Sequence, residues 1–196
     1  MRKKLSLLPI LAVLITAFVT LPPNASAQTV VTPVDETDPV VGVCDSSDDT
    51  ATRIHPTDVT QSLIIGTDKK GFAEGACPDG GINNITGGLE VYDLQGNKLQ
   101  VLAGKPTGNV DIRYNFTLGG QKVALVVATD ELIAPKNIFI YKVNAATRRL
   151  EEVTARDIQV SGRGVAMYVS PQGRFYAFTN GKAGNNQSQV QQWELK

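Results

Sequence analysis

The chain has 196 residues, with 19 basic and 19 acidic side chains and a formal net charge of zero. A nucleic-acid-binding protein needs a concentrated basic patch, and the sequence has no such excess of Lys and Arg, so that class of function is excluded.

The first 27 residues have the pattern of a secretory signal peptide. Residues 2–4 are all basic, residues 5–21 are apolar, and residues 25–27 read Ala-Ser-Ala, a small-residue cleavage site. A permanent membrane anchor is the weaker interpretation, because a proline interrupts the apolar run and the run ends at that cleavage site. The mature protein is therefore expected to be secreted to the periplasm or the extracellular space, without a membrane span.

Cleavage leaves 16 basic and 19 acidic residues, a net charge of −3. This mild acidity is compatible with binding calcium or small charged substrates.

Cys44 and Cys77 are the two cysteines of the chain. Export favours a disulfide between them, which would tie the N-terminal arm to a long loop. Two free thiols, or a metal-binding pair, are the alternative. A zinc site is the poorer fit, since His55 is the one histidine in the sequence.

Residues 28–47 are rich in Val, Thr, Pro and Asp and have no sustained periodicity, so we expect an extended arm. From residue 48 to residue 196, short β-type runs alternate with turn residues, and no segment has a helical period.

A repeat of about 50 residues organises this second region. Three apolar strands, at residues 63–68, 125–130 and 175–180, end in Thr-Asp or Thr-Asn. Each is followed by a polar loop and then by a strand centred on an aromatic residue. The three aromatic residues are Tyr92, Tyr141 and Trp193. A period of this length, built from about four short strands, is typical of propeller blades.

Residues 109–116 have the clearest strand pattern. Alternation places Val110, Ile112, Tyr114 and Phe116 on one face, and Asp111, Arg113 and Asn115 on the other. An Asp111–Arg113 ion pair on a solvated face is one interpretation. A phosphate gripped by the guanidinium is the other.

The predicted fold class is all-β: a partial β-propeller of about three four-stranded antiparallel blades. Closed propellers have typically four to eight blades, so the chain is too short to close a ring by itself. Its end faces would need a covering polypeptide, either a second chain or a second copy.

Several motifs together resemble a known family. They are Asp48-Asp49, Thr67-Asp68-Lys69-Lys70, Leu89 to Gly96, Gly108 to Tyr114, Asn137 to Tyr141 and Phe175 to Lys182. The sequence from about residue 48 to 196 resembles the β-propeller phytases, secreted calcium-dependent enzymes that release phosphate from inositol hexakisphosphate (phytate). That family folds as a six-bladed propeller, so the chain resembles half of a six-bladed ring.

The resemblance implies a phosphate-binding site at the ends of the Thr-Asp/Asn strands. Lys69 and Lys182 match the family's cations after the first and third of these strands. The family's arginine after the second strand is replaced by Glu131, which would repel a phosphate. The family's tyrosine before the third blade is replaced by Arg163. This residue is a candidate compensating phosphate donor, and a solvated loop arginine is the alternative.

Calcium is the cofactor that the resemblance implies, with Asp48 and Asp49 as the candidate ligands. The Pro and Trp that usually follow this acidic pair are absent, and most of the family's calcium-binding acids lie in later blades. Each Ca²⁺ needs 6 to 8 oxygen ligands, so further ligands would have to come from elsewhere.

Three functions are consistent with these residues. The first is a phytase-like phosphomonoester hydrolase, acting on phytate once the ring is completed. The second is a non-catalytic half-propeller that binds phosphate or a partner protein through Lys69, Lys182 and Arg163. The third is a fragment of a disrupted full-length phytase gene.

Overall fold

A computed structural model describes residues 32–42, 46–69, 87–131, 136–155, 157–160, 163–180 and 189–196. The chain divides into two compact units, Met1–Pro33 and Val34–Lys196, and the strands described below all lie in the second. The predicted signal peptide, both cysteines and Lys182 lie outside the described residues. Within the described ranges, no helix is long and apolar enough to cross a membrane.

The described residues form twelve β-strands and one 3-10 turn, Val59–Gln61. The strands are β1 (Ser47–Arg53), β2 (Leu63–Asp68), β3 (Gly88–Tyr92), β4 (Lys98–Ala103), β5 (Thr107–Leu118), β6 (Gln121–Asp130), β7 (Lys136–Asn144), β8 (Arg149–Glu152), β9 (Gln159–Val160), β10 (Gly164–Val169), β11 (Phe175–Asn180) and β12 (Val190–Leu195).

These strands form three antiparallel sheets whose neighbours follow chain order. Sheet 1 contains β1 to β4, sheet 2 contains β5 to β8 with β9 paired to β7, and sheet 3 contains β10 to β12. Strands that follow one another in the chain commonly pair as neighbours in a sheet. The predicted all-β fold of antiparallel blades is confirmed, although sheet 3 has three strands rather than four among the described residues.

Two apolar cores hold the three sheets face to face. Along β6, Val126 and Ala128 belong to the core shared with sheet 1, whereas Leu125 and Val127 belong to the core shared with sheet 3. Successive side chains of a strand point to opposite faces, so this continuously apolar strand is buried on both sides. Sheet 2 is therefore a blade enclosed by its neighbours.

The described end of the N-terminal arm covers the face of sheet 1 that points away from sheet 2. The Val41 and Gly42 amides donate to the carboxylates of Glu90 (2.5 Å) and Asp68 (2.8 Å). Farther along the sheet, the Asp38 amide donates to the carbonyl of Gly96 (2.8 Å). This end face of the stack is thus occupied by the chain itself.

A β-bulge in β5 corrects the predicted face of Phe116. Val110 and Ile112 pack toward sheet 1 as expected, but the pairing of β5 with β6 shifts between Arg113 and Phe116. Asn115 has a φ of 66° within the shifted segment. The extra residue turns Phe116 to the opposite face, where it joins the core with sheet 3. The prediction that it shares a face with Val110 is therefore wrong.

In the third copy of the repeat, the strand face that carries the motif threonine points toward the preceding sheet, not toward the following one. The hydroxyls of Thr67 and Thr129 reach the backbone of the following sheet. Thr179 instead accepts a hydrogen bond from Trp193 Nε1 in its own sheet (3.1 Å) and shares its face with Ala177, in the core with sheet 2. The strands of sheet 3 pair without a register shift, so the reversal applies to the whole sheet rather than to one strand. The repeat is present, but the three copies are not structurally equivalent.

Candidate functional site

The described candidate residues lie where β2 and β6 end and where β1 and β10 begin. We call Asp48, Asp49, Lys69, Glu131 and Arg163 the strand-end site. Antiparallel pairing brings these positions to one end of the sheets, since Ser47 lies opposite Asp68 in sheet 1.

Lys69 is held against Asp48 in sheet 1. Its ammonium lies 3.0 Å from Asp48 Oδ1, and its amide donates to the carbonyl of Ser46 (2.9 Å). The side chains remain 18% and 34% exposed, respectively. The cation predicted to bind phosphate is thus accessible and already balanced by a carboxylate.

Arg163 is paired with Glu131, at 2.6 Å between Nη1 and Oε1. The Glu131 carboxylate is buried, while the Arg163 side chain is 48% exposed. Gly108 gives the carboxylate room, because a Cβ there would lie 2.6 Å from Glu131 Oε2. Glu131 and Arg163, the two residues predicted to depart from the family pattern, therefore contact each other. No local pattern in the sequence indicates this contact, because 31 residues lie between the two positions.

Asp49 connects sheet 1 to sheet 2. Its Oδ2 accepts hydrogen bonds from the amide of Val110 (3.0 Å) and the side chain of Asn109 (3.1 Å). Its Oδ1 accepts one from the amide of Thr50 (2.8 Å). Both carboxylate oxygens of Asp49 therefore accept hydrogen bonds from N–H groups. The bonds from Asn109 and Val110 help to hold sheet 2 against sheet 1.

The threonines of the first two strand ends also join neighbouring sheets. Thr67 Oγ1 accepts from the Asp49 amide (2.8 Å) and donates to the carbonyl of Gly108 (2.9 Å). In the next sheet, Thr129 Oγ1 donates to the carbonyl of Arg163. Both side chains are fully buried. This role explains the motif threonine in the first two copies of the repeat, and sequence reasoning did not identify it.

A buried polar cluster lies behind the strand-end site, beneath the arm. Glu90 is 1% exposed, and its Oε2 lies 2.7 Å from the Lys98 ammonium and 2.8 Å from the Tyr92 hydroxyl. Burial, followed by the hydrogen bond to Glu90, raises the pKa of Tyr92. The carboxylate is paired and hydrogen-bonded, as a buried charge requires.

The described carboxylates of the strand-end site do not fit a calcium ion on their own. Asp48 is engaged by Lys69, and both oxygens of Asp49 accept from N–H groups. Ca²⁺ needs 6 to 8 oxygen ligands. Among the residues that the structure describes, no group of three or more His, Cys, Asp or Glu side chains is placed to hold a metal ion.

The sequence matches the family model described as Phytase over residues 4–195. It is 30% identical over 171 residues to the 3-phytase of Bacillus subtilis (strain 168). That alignment covers 84% of this chain and 40% of the relative, so the chain spans less than half of the relative's length. Because the family model covers nearly all of the sequence and the fold is a stack of antiparallel blades, the chain belongs to the phytase family.

Proposed function

We propose that this chain supplies the phosphate-binding blades of a phytase-like phosphomonoester hydrolase. The observation that supports this most directly is the placement of Lys69 and Arg163. Both lie at the strand-end site, and both keep part of their side chains exposed. Lys182 is proposed as a third cation of the same site, from its position in the sequence.

The two ion pairs determine which carboxylates a bound phosphate would displace. A phosphate monoester carries up to two negative charges and would exchange with Asp48 at Lys69 and with Glu131 at Arg163. A guanidinium is suited to this exchange, because its planar fork donates two parallel hydrogen bonds to phosphate oxygens. The carboxylates limit affinity, since they compete for the cations and repel the incoming anion.

Phytate hydrolysis, calcium dependence and secretion are proposed on family membership. The calcium ligands would have to include groups beyond Asp48 and Asp49, because nitrogen donors already engage these two carboxylates. Further blades, from a second chain or a second copy, are proposed to complete the ring. The face of sheet 3 away from sheet 2 is available for this contact within the described residues and exposes 48% of Tyr168.

The test of hydrolysis is phosphate release from phytate by the purified protein, with Ca²⁺ and with excess chelator. Calorimetry with phytate measures binding, and sedimentation gives the oligomeric state. We expect Lys69→Ala to weaken phytate binding. Lys142→Ala is the matched control, because Lys142 also has a carboxylate partner, Glu151 at 2.9 Å, but lies outside the strand-end site. Equal binding by the two variants would remove Lys69 from the site.

A non-catalytic phosphate-binding module is the second candidate. It is favoured by the carboxylate beside each cation, an arrangement that permits binding and opposes the build-up of negative charge. Phytate binding without phosphate release, in the presence of Ca²⁺ and at every protein concentration, would support the module over the hydrolase.

A further inference from the structure

A separate concave surface lies between sheets 2 and 3, at the end opposite the strand-end site. The groove has a volume of about 660 Å³, within the roughly 300 to 1,000 Å³ usual for small-molecule sites. Its lining includes four cations and one carboxylate. We call it the basic groove, and its charged lining residues are Arg113, Lys122, Arg174, Lys196 and Glu194.

The inner wall of the basic groove is aromatic. Phe116 and Phe175 both line it, and their rings meet edge to face with centroids 5.1 Å apart. Each ring is 7% exposed and is anchored in the core between the sheets. The β-bulge at Asn115 directs Phe116 to this wall. A rigid apolar surface is therefore held beside the cationic rim.

The four cations differ in whether the side chain already has a hydrogen-bond or ion-pair partner. Arg113 donates to Asp111 (2.7 Å), Lys122 donates to Thr117 (2.6 Å), and Lys196 lies 3.1 Å from Glu194. These side chains sit next to local acceptors. Such partners reduce the attraction that each cation has for another anion.

Arg174 differs from the other three cations. Its amide donates to Ser170 Oγ (3.1 Å), which fixes the backbone beside Phe175. Within the described ranges of the chain, its exposed guanidinium has neither an ion-pair nor a hydrogen-bond partner. An arginine fixed at its backbone, with free donors beside an aromatic wall, is ready to bind an oxyanion bidentately.

We propose that the basic groove binds a small organic anion that carries a carboxylate or phosphate group on a flat apolar body. The anionic group binds Arg174 with support from Arg113 and Lys122, and the apolar body packs on Phe116 and Phe175. The groove is independent of the strand-end site, since it uses none of the same residues and lies at the other end of β5 and β11.

The probe is phenylphosphonate, which has both features and cannot be hydrolysed as a phosphate monoester, titrated into the purified protein by calorimetry. We expect saturable binding that Arg174→Glu weakens at least about tenfold, because a hydrogen bond to a charged group is lost and a repulsion is added. Arg149→Glu makes the same charge change at an exposed position outside the groove and should leave binding unchanged. Lys69→Ala, at the strand-end site, should remove only a separate binding component, so that the component lost in Arg174→Glu is retained.

Inorganic phosphate tests the apolar part of the proposal when both anions are titrated into the Lys69→Ala variant, in which the strand-end site is weakened. We expect phosphate to bind at least about tenfold more weakly than phenylphosphonate. Comparable affinity for the two anions would overturn the assignment of an apolar body. Equal weakening by Arg174→Glu and Arg149→Glu, or no saturable binding of phenylphosphonate, would overturn the site. Loss of binding in Lys69→Ala alone would move the anion to the strand-end site, leaving the basic groove without a ligand.

Discussion

The guanidinium of Arg163 lies 2.6 Å from the carboxylate of Glu131, at the junction of sheets 2 and 3. The resemblance predicts that both residues depart from the family pattern, and their opposite charges balance each other. The carboxylate is buried and the arginine is half exposed, so the pair controls how strongly this end of the sheets attracts an anion.

Glu131→Gln should therefore increase affinity for phosphate and phytate. The amide keeps a hydrogen-bond acceptor for Arg163 and removes the negative charge. A unit charge at about 4 Å contributes roughly 1 to 4 kcal/mol, depending on the local dielectric. Calorimetry should thus report tighter binding by about fivefold or more. Glu152→Gln makes the same charge change at the edge of sheet 2 and serves as the control. A similar gain in affinity for this variant would mean that net charge alone explains the effect.

Asp49→Ala should destabilise the fold, whereas Asp48→Ala should not. Loss of the Asp49 carboxylate leaves the Val110 amide without that acceptor and separates sheet 1 from sheet 2, at a cost of about 1 to 3 kcal/mol. Asp48 forms a partly exposed ion pair, whose loss costs roughly 0 to 1 kcal/mol. Urea unfolding without added calcium measures both. A larger loss for Asp48→Ala would contradict the contribution assigned to Asp49.

Thr67→Val should reduce the free energy of unfolding by about 1 to 3 kcal/mol. Valine preserves the shape of the side chain but leaves the Asp49 amide and the Gly108 carbonyl without the hydroxyl between them. Thr52→Val, at an exposed position in the same sheet, is the control and should change stability by less than about 0.5 kcal/mol. Equal effects would mean that the hydroxyl does not stabilise the joint.

The Tyr141→Phe variant should lose less free energy of unfolding than the unaltered protein as the pH rises into the alkaline range. Burial, and then the charge of Glu152, raises the pKa of Tyr141. Above about pH 10 the unfolded chain releases the phenolic proton while the folded protein retains it, so unfolding becomes easier by up to about 1.4 kcal/mol per pH unit. Urea unfolding between pH 8 and 11 compares the slopes. At pH 8 the two proteins should differ only by a constant offset, and identical slopes above pH 10 would exclude this contribution.

The fold class and the repeat could be predicted because their signals are local. Short apolar runs that end in Thr-Asp or Thr-Asn identified β2, β6 and β11, and the structure has strands at these positions. Lys69 and Asp48 were candidates because the resemblance to the family rests on contiguous motifs that include them. The pairing of Arg163 with Glu131 could not be predicted, because it depends on which sheets are neighbours in space.

The sequence by itself determined an all-β stack of blades, its approximate period and its family, because each blade is encoded by contiguous short strands. Only the tertiary structure decided which face each strand presents. The bulge in β5 moved Phe116 into the core with sheet 3, and the packing of sheet 3 turned the face of β11 that carries Thr179 toward sheet 2. A strand has two nearly equivalent faces, and the choice between them is made by packing against distant residues.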